Sequence, residues 1–272
     1  MPIQPQPIEL VSIELTNRCT KACWFCYNHS QPAGATHWTV DELVAFVRDL
    51  AGHGVKAVSF GGGEPLQYEG LFDLLRRLDG VLFRSLTSNG LLLHGEILQQ
   101  LVAARPDKVH LSIHFPEREA EVERIIRQVQ DLAQRGIRSG INLLVARSNL
   151  AAAGKAAHAI RDAGIGNERI VYLPMRGQDT PAPDEVGQVA GGQRFQSMTC
   201  LTACGKSPRF CSIGWDRSVA WCSYTTARAP LRELSIAGLM AALDGLGLIF
   251  CGGSDGSGLS GGTFDGYHVL RR

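Results

Sequence analysis

The sequence has almost no surplus of charge: 27 Lys and Arg stand against 26 Asp and Glu, a formal net of +1. No whole-molecule field recruits nucleic acid or an anionic membrane surface, so neither is expected as a partner. Long apolar runs are missing too. Nothing approaches the ~20 residues that cross a bilayer, and the opening MPIQPQPIEL lacks the charged start and apolar middle of a secretory signal. A cytoplasmic location is expected. Cysteine is absent from the whole interval between Cys26 and Cys200. With 272 residues the chain can bury a core without disulfide staples.

The cysteines that are present fall into two groups, Cys19, Cys23 and Cys26, then Cys200, Cys204, Cys211, Cys222 and Cys251. In a reducing cytosol, clustered thiols point to metal or catalysis before structural bridges. The cysteine-free interval therefore reads as a scaffold between two metal-binding regions.

That interval alternates strand and helix patterns. Residues 9–16 read as a strand; Thr39 and Glu42 form a capping box ahead of Val40, Leu43, Phe46, Val47 and Leu50 at helical spacing. Residues 55–60 are a buried strand running into Gly61, Gly62 and Gly63. Strands at 81–86, 109–113, 137–145 and 170–173 follow, with helical stripes through Leu71–Leu78, Ile97–Val102, Val122–Leu132 and the alanine-rich 150–163. Strict alternation predicts parallel strands joined by right-handed crossovers. Six such units suit an open doubly wound sheet or a partial barrel, and periodicity leaves both open. In either, the chemistry belongs at the carboxyl ends of the strands. The cysteine loop, the Gly61 loop and the Ser88-Asn89-Gly90 turn all follow strands and share that rim. Residues 178–193 shift to Pro, Gly, Asp and Gln, a linker or an irregular last helix. The expected division is a first domain over 1–180 and a second region over 195–272.

Three thiols within eight residues suit two metals. Zinc wants a fourth ligand, for which His29 is available. A four-iron cluster held by three cysteines leaves one iron open to something else. After the second strand, the glycines free the backbone for close approach to a small ligand, and Glu64 with the nearby carbonyls can accept hydrogen bonds from an ammonium group.

Taken together, Cys19, Cys23 and Cys26, with Phe25 before the last cysteine, resemble the signature of the radical S-adenosylmethionine (SAM) superfamily. Gly62-Gly63-Glu64-Pro65 resembles its second motif, and the similarity runs over about 9–176, taking in the 87–90 turn and Ser112. The resemblance implies an α/β fold, a partial (β/α)6 TIM-type barrel with a small cysteine-rich C-terminal region. It implies a 4Fe-4S cluster on the three cysteines and SAM chelating the open iron through its amine and carboxylate. Gly62, Gly63 and Glu64 would hold the amine; Ser88, Asn89 and Ser112 would meet methionine or ribose groups; Arg147 and Asn149 the carboxylate or ribose; Leu173, Pro174 and Met175 the adenine. The implied activity is that of a radical SAM oxidoreductase, in which an electron from a donor such as flavodoxin or ferredoxin cleaves SAM to a 5'-deoxyadenosyl radical that abstracts hydrogen from a substrate. His114, just past the fourth strand, is expected to touch substrate or shuttle a proton.

Cys200, Cys204 and Cys211 precede a stretch that alternates around a turn near Asp216 and Arg217 and ends at Cys222, a hairpin with a cysteine at each base. It resembles the auxiliary-cluster domains called SPASM or Twitch, which usually end in further paired cysteines where this chain has only Cys251. Five thiols suffice for one auxiliary 4Fe-4S cluster, with Cys211 and Cys222 as foremost ligands. Zinc at the same residues, or thiols left free, are the alternatives, and Cys251 or Cys200 would be the leftover hydrogen-atom donor. This architecture implies a ribosomally made peptide as substrate. Because the first predicted strand begins at residue 9, a peptide substrate is expected either to come with a separate leader-peptide-binding protein or to dock directly. A small metabolite such as a sugar or aminocyclitol, dehydrogenated or epimerised, is the alternative, and a non-catalytic iron-sulfur or zinc protein is the alternative of another class.

Overall fold

The computed structural model describes residues 8–177, 179–197 and 205–249. Its elements run β1 (Leu10–Thr16), α1 (Val40–Gly52), β2 (Ala57–Gly62), α2 (Leu71–Arg77), β3 (Phe83–Ser88), α3 (Gly95–Ala104), β4 (Lys108–Ile113), α4 (Glu119–Gln134), β5 (Ser139–Val145), α5 (Leu150–Asp162), β6 (Ile170–Pro174), α6 (Pro183–Val189), β7 (Gln196–Ser197), β8 (Phe210–Ile213), β9 (Ser218–Ala220), β10 (Ala229–Pro230) and α7 (Ile236–Leu243). The six expected strand and helix pairs are present, and α6 is the short last helix of the Pro- and Gly-rich stretch. Among the described residues no helix is long and apolar enough to cross a membrane.

Strand order in the sheet is β10-β9-β8-β1-β2-β3-β4-β5-β6-β7. Pairing is parallel from β8 through β7, while β9 and β10 are antiparallel. The sheet does not close, so the architecture is a partial barrel. Helix α1 starts as its sequence demands: Thr39 Oγ1 accepts from Glu42 N–H at 3.3 Å and Thr39 N–H donates to Glu42 Oε2 at 3.1 Å.

Alternation along the strands separates two faces. Val11, Ile13, Val58, Phe60, Val109, Leu111, Ile141 and Leu143 join one apolar core with Leu43, Phe46, Val47 and Leu50 of α1 and Val122, Ile125, Val129 and Leu132 of α4. Each such fully buried side chain stabilises by about 1.5–3 kcal/mol over leaving it exposed. The intervening positions are polar: Ser12, Glu14, Ser59, Ser85, Thr87, His110, Ser112 and Asn142. That polar face is the inner wall of the partial barrel, below the rim that carries the loops.

The hairpin near Asp216 forms as β8 and β9, and β8 pairs with the free edge of β1, Val11 opposite Cys211 and Ile13 opposite Ile213. Arg217 at the turn bonds Glu42 Oε2 at 2.7 Å, and Trp38 Nε1–H donates to Gly214 O at 3.2 Å. Val219, Leu231, Leu239 and Leu243 enter the same apolar core as β1 and α1. The described part of the C-terminal region thus packs on the barrel as a continuation of it.

Candidate active site

Two loops at the rim are clamped together through their backbones. Gly63 N–H donates to Thr16 O at 2.6 Å and Glu64 N–H to Arg18 O at 2.8 Å, which ties the end of β2 to the start of the cysteine loop. Gly62 has φ +110°, and a Cβ there would stand 2.6 Å from Thr16 O; one at Gly63 would stand 2.3 Å from Arg18 O. Sequence reasoning assigned these glycines to close approach of a ligand. The structure shows one close approach that requires them, that of one loop to the other.

Glu64 is buried, and its carboxylate is already bridging: Oε1 accepts from Leu66 N–H at 3.0 Å and Ser88 Oγ–H at 2.8 Å, and Oε2 accepts from Asn89 N–H at 2.9 Å. Burial pushes its carboxyl up, against those bonds and the charge of Lys21. Ser88 and Asn89 are thus brought to Glu64, and Asn89 Nδ2 in turn points at Cys19 Sγ, 3.6 Å away. Ser112 is buried on β4 opposite Asn142 of β5.

The loop winds Cys19, Cys23 and Cys26 around one space, with Cys26 N–H donating to Cys23 O at 3.1 Å. Burial pushes the Cys19 thiol up and that of Cys23 up to about 11, and charge on neighbouring cysteines adds to the rise. The thiols are close enough to sense one another. Yet among the described residues no three His, Cys, Asp or Glu side chains converge tightly enough for a single metal ion. Three thiols with no fourth protein ligand beside them are the donor set that leaves one iron of a four-iron cluster open.

Beside this loop a cleft of about 820 Å³, of ligand-binding size, opens toward β4, β5 and β6, with Cys23, Phe25, His114, Asn149 and Met175 in its wall. Met175 packs with Leu144 and Ala146, and with the partly buried Phe25 and Leu173. Asn149 uses Oδ1 to accept from Ala146 N–H at 2.8 Å. Arg147 stands outside this group, largely exposed, with Nε 3.8 Å from Glu185 of α6. Lys21, Glu117, Arg118 and Asp179 form the charged part of the wall beside Phe115, and the Arg118 guanidinium lies 4.0 Å from the centroid of the Phe115 ring.

Sequence reasoning missed Lys21 and Glu121. They form an ion pair at 2.8 Å beside His114. Lysine between two cysteines and glutamate in the first turn of α4 look like ordinary surface residues in one dimension. Glu14 was missed as well: burial pushes its carboxyl up to about 7, with Arg228 and a hydrogen bond from Tyr27 acting the other way. Of the second group of cysteines, Cys200, Cys204 and Cys251 lie outside the described residues. Cys211 is in the apolar core, 0% exposed, its thiol pushed far up by burial. Cys222 is half-buried, and its sulfur accepts from Tyr224 N–H at 3.5 Å.

A family model described as the radical SAM superfamily matches residues 13–177, more than half of the chain. A probable GTP 3',8-cyclase of Methanocella arvoryzae is 33% identical over 112 residues, 41% of this chain and 36% of the relative. Another from Metallosphaera sedula is 26% identical over 180 residues, 62% of this chain and 56% of the relative. The chain thus spans about a third to a little over half the length of these curated relatives. Among solved structures, Streptococcus suis SuiB bound to precursor peptide SuiA superposes with a TM-score of 0.69 at 13% identity, covering 88% of this chain and 65% of that one. Native anSMEcpe with bound AdoMet and Cp18Cys peptide superposes with a TM-score of 0.61 at 15% identity, covering 85% and 80%. These likenesses establish a shared fold.

Proposed function

The chain belongs to the radical SAM superfamily, and on that footing we propose that it is an oxidoreductase that modifies a peptide by hydrogen abstraction. Cys19, Cys23 and Cys26 would hold the 4Fe-4S cluster, and the backbone carbonyls of the Gly62-Gly63-Glu64 turn would take the ammonium of SAM. When bound, the cluster and SAM supply a carbon-centred radical. The residues of the cleft do the rest: Phe25, Leu144 and Met175 offer an apolar bed for adenine and exclude water, while Ser88 and Glu64 hold the Asn89 turn against the cysteine loop.

The observation that carries the peptide reading is the charge balance of the cleft. Among the described residues its wall bears Lys21 and Arg118 against Glu117 and Asp179, and Lys21 is already neutralised by Glu121. A nucleoside triphosphate, the substrate in the names of the sequence relatives, would call for several unpaired cations. A neutral peptide segment does not. The structures that superpose on this chain with bound peptides support the same reading.

Reading the core position of Cys211 as structural leaves four thiols in the second group, Cys200, Cys204, Cys222 and Cys251, which would serve as the complement of one auxiliary 4Fe-4S cluster. A flavodoxin or ferredoxin would deliver the electrons, and a leader-peptide-binding protein would present the substrate. Anaerobic reconstitution, iron counting and an assay for 5'-deoxyadenosine test the proposal. About eight irons per chain are expected, about four if only the first cluster forms. Equal deoxyadenosine from the wild type and Cys23→Ala would sink the radical reading.

A further inference from the structure

Lys21 lies between two cluster cysteines in sequence, yet its ammonium enters a buried contact. Nζ donates to Glu121 Oε1 at 2.8 Å and lies 3.1 Å from His114 Nδ1, with 8% of the Lys21 side chain and 9% of that of Glu121 exposed. The same carboxylate oxygen accepts from His114 N–H at 2.7 Å. The histidine is therefore gripped at its backbone and at its ring by one ion pair. Phe25 flanks the ring, 6.0 Å between centroids, and the histidine forms part of the cleft wall next to Cys23.

An ammonium has three donors and no acceptor. His114 Nδ1 must then be the acceptor, so the hydrogen of the neutral ring sits on Nε2, the nitrogen left over for the cleft. We propose that the Lys21–Glu121 pair locks His114 as a neutral imidazole whose Nε2–H donates a hydrogen bond to a carbonyl oxygen of the peptide substrate. This rests on the peptide reading above and assigns the recognition of the backbone to one residue. Burial and the Lys21 charge both hold the imidazole well below its usual range, so the ring stays neutral. Burial pushes Glu121 up, but the hydrogen bond and charge of Lys21 outweigh it and keep the carboxylate ionised. A fixed, uncharged donor in a site whose nearest cation is already paired matches an amide carbonyl; a phosphate would gain far more from a free guanidinium. Lys21 and Glu121 are positioning residues, and His114 is the group that touches substrate.

Histidine 15N–1H correlation spectra of the reconstituted, oxidised chain at pH 7.5, with His114 assigned from the His114→Gln variant, read the tautomer directly. The pattern expected is that of a neutral ring protonated at Nε2. An Nδ1–H ring or an imidazolium overturns the proposal, and this result needs no turnover, so it is separate from failure of the radical reading. Titration with acetyl-Ala-Ala-Ala-amide is expected to shift the Nε2–H resonance. His114→Phe should weaken binding of that peptide tenfold or more, followed by its own amide shifts, while His114→Gln, which keeps a neutral N–H donor, stays within about threefold of wild type. Equal affinity in His114→Phe, or no shift of the ring in the wild type, overturns the peptide-carbonyl assignment. Lys21→Met should scramble the tautomer while Lys21→Arg preserves it; an unchanged tautomer in a folded Lys21→Met shows that the ion pair is not the lock.

Discussion

At position 63 a single methyl group is enough to force the rim apart, because a Cβ there would stand 2.3 Å from Arg18 O. Gly63→Ala should cost about 1–3 kcal/mol and lower iron incorporation, since it moves the turn that holds the cysteine loop; urea unfolding and iron analysis check both. Glu14 acts through pH. Its folded carboxyl titrates at about 7 against an ordinary 4.5, so the folded state binds more protons than the unfolded chain between those values. Stability is fully present below about pH 4.5 and falls as the pH rises to about 7, by on the order of 3 kcal/mol. Glu14→Gln should flatten that fall, as urea midpoints at pH 5 and pH 8 would show. An equal fall in the variant would locate the effect elsewhere. Neither residue declares itself in one dimension: Gly63 reads as a ligand turn and Glu14 as a polar position on a strand, and only the neighbouring loop and the burial assign their roles.

On strand β8 the face of each residue decides its chemistry. Cys211 alternates with Phe210 and Ser212 and falls on the side that meets Val11 and Ile13. Cys222 lies beyond β9, next to Ser223, whose hydroxyl donates to Ser212 Oγ at 3.1 Å. Cys211→Ser should therefore cost about 1–3 kcal/mol by burying a hydroxyl in an apolar site and leave the iron content unchanged. Cys222→Ser should lose about four irons per chain with little loss of stability. The opposite pattern would return Cys211 to the ligands. The hairpin itself was legible, because alternation around Asp216-Arg217 is a local signal. Its attachment to β1 was not, since 199 residues lie between Ser12 and its pairing partner Ser212 and no local pattern names a partner that remote.

Across the whole molecule, β8, β9 and α7 cover an edge of the sheet and a flank of α1 that would otherwise be bare. A fragment ending at residue 180 loses the partners of Val11 and Ile13 and the apolar contacts of Val219, Leu239 and Leu243. It should unfold at a lower urea concentration than the full chain, by the equivalent of at least ~3 kcal/mol. An unchanged midpoint would show that the first 180 residues form a self-sufficient domain.

The sequence by itself determined the alternation of strand and helix, the parallel sheet, the rim that carries the candidate site and the three thiols proposed to hold a cluster. Those are set by short-range periodicity, capping and spacing, which act within about twenty residues. Tertiary structure decided that Gly62 and Gly63 join two loops, that Glu64 braces Ser88 and Asn89, that Cys211 is core, and that Lys21, His114 and Glu121 meet. Each of those depends on which distant backbone arrives beside a residue and whether water is excluded there, and burial and hydrogen bonding are properties of the assembled barrel.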